Sequence, residues 1–490
     1  MYRMPKPQMD FEEFILPFPG KLRSDNRWIK LAKIIPWQEI EEKYSKYFST
    51  TTGNPAKPLR MALGALIIKE KCGFSDEETV QQITENPYLQ YFVGFKEFQK
   101  EPPFTSSLMV FFRKRLTPEI LGEINELICT AKKSKPKQNL TPPSGTSSAD
   151  PKEVEPEKPA SAAESPPNRG KLLLDATCAP ADIRYPTDLS LLNEAREKLE
   201  QFIDILYQPF SCRMVKPKTY RRKARAAYLS VAKQKRPRVQ VMRKAIGKQL
   251  RFIGRDFRII ELLSEQSGAG QLTSRQEQML STIKTLSEQQ STMYEEKSHS
   301  IADRIVSIHQ PHVRPIVRGK VRNFVEFGAK VFVSLVNGYS FLEKLSWDAF
   351  NEGGCLIPAL ERYRERFGCY PEAVLADKIL RNRENKEFCR ERNIRLSGSK
   401  LGKSVEVWGK DRRLARQDNR ERNAIEGKFG EGKRSYGLDR VMARLEETAS
   451  CVIAMQFVVM NLRNRLRVLL YPFWEKLILG IFCPKLAFKP

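Results

Sequence analysis

The chain has 490 residues and carries 85 lysines and arginines against 58 aspartates and glutamates, so its formal net charge at pH 7 is +27. Hydrophobic residues make up 41% of it, which is enough for at least one sizeable core and excludes a wholly disordered chain. Nine cysteines without a CxxC pair and only three histidines support neither a disulfide framework nor a zinc site. The excess positive charge favours a polyanionic partner, most commonly nucleic acid.

The first 131 residues predict an all-α unit. Ser75 is a suitable N-cap for one of its helices, and Glu78 stands where it would complete a capping box. That helix should end before Pro87, because proline disfavours helical geometry in the residue before it. The expected helices cover residues 58–69, 75–85, 106–115 and 118–131. Two interpretations stay open, a packed helical bundle alone or a helix-turn-helix unit that binds DNA ends.

Residues 132–170 have a different composition, with eight prolines and no aromatic residue. Such a segment cannot bury enough apolar surface to fold. We therefore predict a disordered linker that tethers the first unit flexibly to the rest of the chain.

Strands alternate with helices in the remaining sequence. Apolar runs of strand length occur at 171–177 and 326–336, and the second run meets Asn337-Gly338, the strongest short signal for a β-hairpin. The pattern predicts an α/β core with a mixed sheet flanked by helices. Further strands are expected at 373–377 and 394–396, and helices at 355–367, 382–392 and within 418–467.

The predicted domains follow from these elements. The core comprises 171–187 and 306–470 and is interrupted by a helical, basic insertion at 188–305; residues 471–490 form a C-terminal tail. An apolar run at 451–460 is followed by Arg463, Arg465 and Arg467, which favours a buried core helix over a membrane span. The N-terminal residues show no secretory signal pattern, so we expect a cytoplasmic protein.

The insertion contains a segment of unopposed positive charge. Residues 213–255 include sixteen lysines and arginines and no acid, interleaved with Tyr220, Tyr228 and Phe252. A solvated helix face normally mixes both signs, so this pattern indicates phosphate binding. The alternative is a basic surface with no fixed ligand. The cations assigned to DNA here are Arg221, Arg222, Lys223, Arg225, Lys235, Arg236, Arg238, Arg243 and Lys244.

Two acids follow apolar runs of the predicted sheet. Asp175 comes after three leucines and Asp377 after Val374-Leu375-Ala376. Ligands bind at the carboxyl ends of strands in open α/β sheets, so these two side chains are expected to converge. The alternative is that each aspartate caps a following helix.

A third acid lies in a helical segment further along the chain. Arg422 and Glu426 are four residues apart and share a helix face, where the guanidinium can hold the carboxylate. Such a pair is also common on solvated helices. The nearby Lys428, Lys433 and Arg434 favour a phosphate-binding interpretation.

Three carboxylates without a histidine or cysteine set indicate Mg²⁺ or Mn²⁺ as the cofactor. Two such ions about 3.5–4 Å apart would activate a water or 3′-hydroxyl for in-line attack on phosphorus. No phosphate-binding loop of the Walker A type is present. The three histidines, at 299, 309 and 312, have no partnered serine or cysteine motif.

These residues together resemble a known family. Leu-Leu-Leu-Asp175, Leu-Ala-Asp377 and Arg422-x-x-x-Glu426-(x6)-Lys433 are similar to the signatures of bacterial insertion-sequence DDE transposases, which have an RNase H-like catalytic core. The third motif departs from that group's Tyr-x-x-Arg-x-x-x-Glu-(x6)-Lys pattern at Asn419, which stands in place of the tyrosine. Residues 58–95 resemble the helical domain that precedes this core, and residues 304–320 and the hairpin also look familiar from these enzymes. The resemblance covers most of the chain outside the linker and parts of the insertion.

The resemblance implies binding of double-stranded DNA at element ends, cleavage, and joining of the 3′ end to target DNA. Asp175, Asp377 and Glu426 would hold two metal ions, while Arg422 and Lys433 would position DNA, assisted by Lys428 and Arg434. The family also implies a homodimer on DNA and association with the bacterial nucleoid. Two other functions remain open: a structure-specific nuclease on the same core, and a DNA-binding relic without activity.

Overall fold

The computed structural model describes residues 4, 10–46, 56–130, 167–267, 271–317, 325–397 and 410–482. Most of the predicted linker lies outside these residues. The described part of the N-terminal region contains seven α-helices: α1 (Arg27–Ile34), α2 (Trp37–Ser45), α3 (Leu59–Cys72), α4 (Asp76–Glu85), α5 (Pro87–Phe92), α6 (Leu108–Arg115) and α7 (Pro118–Thr130). The predicted helical character of this region is confirmed.

The start of α4 matches the prediction in part. The Ser75 side chain accepts a hydrogen bond from the Glu78 backbone N–H at 3.0 Å, as an N-cap should. The Glu78 carboxylate accepts from the Gln82 amide at 2.9 Å. The predicted return bond of a capping box is therefore not made.

One mixed sheet forms the centre of the core. Its strands are β1 (Lys171–Pro180), β2 (Arg314–Val317), β3 (Val325–Val336), β4 (Tyr339–Ser346), β5 (Ala373–Leu375) and β6 (Arg395–Leu396). The spatial order is β2-β3-β1-β5-β6, and β4 also pairs with β3. β1 is antiparallel to β3 and parallel to β5, which is parallel to β6. This arrangement, with helices on both faces, confirms the expected RNase H-like fold class.

The β3–β4 hairpin turns where the sequence predicts. Asn337 and Gly338 both have positive φ angles, 50° and 82°, the combination that a two-residue type I′ turn requires. The strand β1 is longer than expected because its antiparallel pairing with β3 continues from Leu173 to Pro180. Asp175 therefore lies inside β1, and its predicted place at a strand end is wrong.

Eight further helices complete the described chain: α8 (Asp188–Tyr207), α9 (Arg221–Ala232), α10 (Val239–Ser267), α11 (Ser274–Glu296), α12 (Leu356–Phe367), α13 (Arg383–Glu391), α14 (Lys410–Ser435) and α15 (Glu446–Phe482). The insertion is helical, as its composition indicates, and α8, α10 and α11 surround a hydrophobic cluster of their own. The residues expected to begin a C-terminal tail at 471 continue α15 as far as Phe482.

The apolar C-terminal run forms a buried helix. Every side chain of α15 from Thr448 to Leu462 is buried, and the helix packs against α1, α3, α6, α7, β4 and α14. The N-terminal helices, α15 and one sheet face thus share a single hydrophobic core. This shared core contradicts the expected flexible tethering of the first unit. No helix in the described ranges is both long and apolar enough to cross a bilayer.

A buried polar network joins three parts of this core. Asn461 on α15 accepts a hydrogen bond from the Ser340 backbone N–H at 2.9 Å, and its amide donates to the Ser340 carbonyl at 2.6 Å. The same amide donates to Asn125 on α7 at 2.8 Å, and Asn125 donates to the Ser340 carbonyl at 3.0 Å. Asn461, Asn125 and Ser340 are almost fully buried, so each bond replaces one that water would make.

Replacing Asn461 by leucine should lower the free energy of unfolding by about 3 kcal/mol, because buried groups of Ser340 and Asn125 lose their partners. Urea denaturation measures this loss. Asn464→Ala is the control, since Asn464 bonds the Gly338 carbonyl at an exposed position; it should cost less than about 1 kcal/mol. Equal losses for the two variants would contradict the assigned importance of the buried network.

The insertion buries an acid without a hydrogen-bond partner. Asp256 on α10 is 0% exposed, and neither carboxylate oxygen has a partner. The pKa of Asp256 is raised to about 7: burial has the largest effect, Glu200 on α8 also raises it, and Arg196, Arg255 and Arg221 lower it. These groups face Asp256 from α8, α9 and α10. The folded protein therefore favours the neutral acid.

The raised pKa makes stability fall as the pH rises from about 4 to about 7, because the unfolded chain releases this proton while the folded chain retains it. Asp256→Asn should raise stability by about 1.5 kcal/mol at pH 5 and by about 4 kcal/mol at pH 8. Thermal unfolding at the two pH values tests this. Glu261→Gln, at an exposed position of α10, is the control and should not change the difference between them.

Candidate active site

The register of β1 and β5 places Asp175 and Asp377 at the same edge of the sheet. Leu173 pairs with Leu375 in the last parallel contact, and each aspartate stands two residues further along its own chain. Side chains two residues apart lie on the same face of a strand. The two aspartates therefore lie side by side where β5 ends, as predicted for the carboxyl ends of strands. β1 continues beyond Asp175.

Local backbone contacts hold both carboxylates. Asp175 accepts a hydrogen bond from the Ala176 N–H at 2.8 Å. Asp377 accepts from the Lys378 N–H at 2.7 Å and caps the short 3₁₀ turn Lys378–Leu380. The capping role considered from sequence is therefore real for Asp377, and it coexists with a position beside the other acids.

The helix α14 adds Glu426 and Arg422. The Arg422 guanidinium lies 3.7 Å from the Asp377 carboxylate and 3.8 Å from the Glu426 carboxylate. Its side chain is 25% exposed, whereas those of Asp377 and Glu426 are each 57% exposed. Arg422 is therefore a partly buried cation between two acids that stay accessible to solvent, and it offsets their mutual repulsion.

Electrostatics link Asp175 to the same group. Burial is the largest effect on the pKa of Asp175 and raises it; Glu352 and Glu426 raise it further. The Ala176 N–H and the Arg422 charge act in the opposite direction, and the net pKa is raised. Asp175 thus lies within electrostatic reach of Arg422, Glu426 and a fourth acid, Glu352.

Sequence reasoning missed Glu352 because it lies in a short turn, Glu352–Cys355, without a strand or motif beside it. Its carboxylate is 2.8 Å from Lys330 on β3, and Lys330 also donates to the Phe350 carbonyl at 2.8 Å. The available signal was Lys330 itself, a cation within the otherwise apolar run 327–333 of β3. Pairing with Lys330 holds Glu352 at the margin of the site.

The donor chemistry suits a hard divalent cation, because all the acids present carboxylate oxygens. In the ranges that the structure describes, no three His, Cys, Asp or Glu side chains form a group that could hold a metal ion. Arg422 lies between Asp377 and Glu426, and this position keeps the two carboxylates apart. The residue types fit Mg²⁺, and the carboxylates of Asp377 and Glu426 are accessible to solvent.

The other cations predicted near Glu426 have different environments. Lys433 lies seven residues after Glu426 and thus on the same face of α14, about two turns further along. Lys428 is 2.9 Å from Glu431 and its side chain is 11% exposed, so it is already engaged in an ion pair. Arg434 is exposed.

The basic segment of the insertion forms α9 and the first half of α10. Most of its predicted DNA-binding cations are exposed: Arg222, Lys223, Arg225, Lys235, Arg236, Arg238 and Lys244. Arg221 instead binds Asp204 through two hydrogen bonds of 3.0 and 2.7 Å. Arg243 lies 4.3 Å from the centre of the Tyr294 ring. Both therefore have contacts within the protein.

Comparison with known proteins gives the family. The model described as Transposase DDE domain matches residues 374–463, which include Asp377, Arg422 and Glu426. The model described as Transposase domain (DUF772) matches residues 18–115, within the N-terminal helices. The chain belongs to the DDE transposases of insertion sequences. Membership of this family implies DNA as its ligand and explains the order of a helical N-terminal region followed by a mixed-sheet core.

One curated relative has no described activity. The chain is 30% identical over 171 residues to an uncharacterized protein, ORF8 in the nfe locus of Rhizobium meliloti, a match that covers 35% of this chain and 70% of that protein. No solved structure matches the chain.

Proposed function

We propose that the chain binds the ends of an insertion sequence, cleaves the DNA there and joins the 3′ end to target DNA, with Asp175, Asp377 and Glu426 as the catalytic acids. The supporting observation is the clustering of these three acids, distant in sequence, around Arg422. The site lies where β5 ends beside β1, and the side chains of Asp377 and Glu426 are accessible to solvent, which suits a large substrate such as DNA.

The cofactor of this reaction is Mg²⁺ or Mn²⁺, held by Asp175, Asp377 and Glu426. Bound ions would activate the attacking water or 3′-hydroxyl and stabilise the leaving oxygen. Burial raises the pKa of Asp175, and nearby positive charge favours its ionised form. Arg422 supplies part of that charge within the protein.

Arg422 has a second role in this proposal. A guanidinium binds carboxylates and phosphates with the same donor geometry. It lies between Asp377 and Glu426, so it can release one carboxylate and bind the scissile phosphate. Lys433, on the same face of α14, would bind a phosphate further along the same DNA strand.

The basic face of α9 and the start of α10 would bind DNA flanking the site. Its exposed cations attract phosphates without reading sequence. Transposition requires the two ends of one element to be paired, so we propose a homodimer on DNA. The division into an N-terminal unit, a linker, a core and an insertion is also a proposal, in which α15 replaces the tail expected from residue 471. The DNA substrate would place the protein at the bacterial nucleoid.

Asp175→Asn, Asp377→Asn and Glu426→Gln should each reduce DNA cleavage at least 100-fold, because each removes one charged oxygen ligand while conserving size. A plasmid carrying the DNA on both sides of the gene is incubated with protein and Mg²⁺, and nicked, excised and joined products are quantified. A transposase should give joined product, whereas a nuclease that only cleaves DNA should give none.

Glu421→Gln is the matched control, since Glu421 is also on α14 but pairs with Lys171 at 2.8 Å. It should retain cleavage close to that of the parent. Parent-level activity in all three acid variants, each with a parent-like circular dichroism spectrum, would contradict the proposed site.

The double variant Arg222→Gln, Arg225→Gln should weaken binding of any duplex and reduce the slope of log K against log salt by about 1 to 2 units, since up to two phosphate contacts are lost. Fluorescence anisotropy with a labelled duplex at several salt concentrations measures this slope. Arg221→Gln and Arg275→Gln carry the same change of charge per residue and serve as controls. Arg221 is paired with Asp204 and Arg275 lies on α11, so neither should change the slope by more than a fraction of a unit. An unchanged slope in the double variant would exclude this surface.

A further inference from the structure

The helix α14 meets the sheet at one row of residues. Lys171 on β1 pairs with Ala373 on β5, and Ala373 pairs with Arg395 on β6. Paired residues of neighbouring strands point to the same face of a sheet. The two cations therefore flank Ala373 on one face, and α14 packs against β1 and β5.

Each cation of this row binds an acid of α14. Arg395 donates two hydrogen bonds to the Asp418 carboxylate, at 2.6 and 2.9 Å. Lys171 donates to the Glu421 carboxylate at 2.9 and 2.8 Å. The side chain of Asp418 is 7% exposed, whereas those of Glu421 and Lys171 are 30% and 41% exposed. A bidentate arginine–carboxylate pair with a buried acid fixes direction as well as distance, while an exposed lysine pair contributes little.

Ion pairs, and not buried apolar side chains, attach residues 413–424 of α14 to the sheet. The structure describes all of these residues, and among them Asp418 alone is buried. The next buried residues are Ile425 and Phe429, which belong to the shared hydrophobic core. Apolar packing is not directional, so it holds the second half of the helix without fixing how far the first half lies along the sheet. The contact with Arg395 can fix this position.

The distance from the row to the acids is similar on the strands and on the helix. Asp175 and Asp377 each stand four residues beyond the row, which is about 13 Å along an extended strand. Glu426 stands eight residues beyond Asp418, which is about 12 Å along a helix. Attachment of Asp418 to the row thus brings Glu426 level with the two aspartates. Arg422 lies between these points, 3.7 Å from Asp377.

We propose that Arg395 and Asp418 are positioning residues, whose ion pair fixes the place of α14 along the sheet and thereby that of Glu426 beside the two aspartates. Neither residue touches the substrate, and both act through α14. The inference rests on the proposed cleavage of DNA and adds to it a contact outside the acid cluster. A displacement of about 1 Å at a catalytic group is enough to slow a reaction strongly, so a contact two helical turns away can control the rate.

Hydrogen exchange measured by mass spectrometry tests the anchoring without reference to activity. Asp418→Asn removes the charge and conserves the shape, so the amides of residues 413–424 should exchange about tenfold faster, while those of β1, β3 and α15 exchange as in the parent. Glu421→Gln makes the same change of charge one turn further along and is the matched control. It should leave the exchange of this segment almost unchanged.

Cleavage kinetics test the consequence for the site. On the plasmid substrate at saturating Mg²⁺, Asp418→Asn should lower the rate constant of cleavage about tenfold. Its affinity for a labelled duplex should equal that of the parent, because the exposed cations of α9 and α10 are untouched. Arg395→Lys keeps the charge but loses the bidentate contact, so its rate should lie between those of the parent and Asp418→Asn. If Asp418→Asn does not fold, the same two measurements on Arg395→Lys decide the question.

The results separate this inference from the function on which it rests. Parent-level exchange of residues 413–424, or parent-level cleavage by folded Asp418→Asn, would overturn the positioning role and leave cleavage by the three acids intact. Faster exchange throughout the chain with a lower unfolding temperature would show that the pair serves stability alone. An equal loss of rate in Glu421→Gln would show that any charge removed from α14 slows cleavage, and the assigned role would be wrong. Absence of cleavage by the parent protein would overturn the proposed function itself.

Discussion

Burial of α15 is the constraint on which the arrangement of the molecule depends. From Thr448 to Leu462 the helix exposes almost no surface, so apolar partners are needed on every side of it. α1, α3, α6 and α7 cover one part, while β4 and α14 cover others. Since α14 carries Arg422 and Glu426, the same packing that unites the N-terminal helices with the sheet also fixes the helix that completes the site. The Asn461 network gives this packing a defined register, because its hydrogen bonds are satisfied in one alignment of α15 against the hairpin and α7.

The site itself depends on two geometrical facts. The parallel register of β1 and β5 places two aspartates side by side, and α14 brings a glutamate and an arginine across them. The partly buried arginine reduces repulsion between the acids, and its guanidinium is the group proposed to exchange a carboxylate for a phosphate. The net positive charge of the chain reflects the basic surface that attracts DNA. It does not reveal the three acids proposed to act on the DNA, because these are few among many cations.

Local patterns predicted much of this structure. The Asn337-Gly338 hairpin, the helical insertion, the buried C-terminal helix and the alternation of strands and helices were all readable, because each depends on neighbouring residues. Predictions failed where the conformation or the partner of a residue depends on segments that are distant in the sequence. The length of β1 is set by pairing with β3, which follows it by some 150 residues of chain. Arg221 has the appearance of a free cation in its own segment but pairs with Asp204 on another helix, and Glu352 gave no signal because only its position beside Asp175 gives it a role.

The sequence by itself determined the fold class, the family resemblance and the three acids on which the function is proposed. The order and spacing of short motifs can be recognised directly along the chain. Only the tertiary structure decided that the N-terminal helices share a core with α15, that Arg422 lies between Asp377 and Glu426, and that Asp418 pairs with Arg395. Contacts of this kind join residues tens to hundreds of positions apart, and they depend on the packing of whole helices and strands. No local preference of the residues involved encodes them.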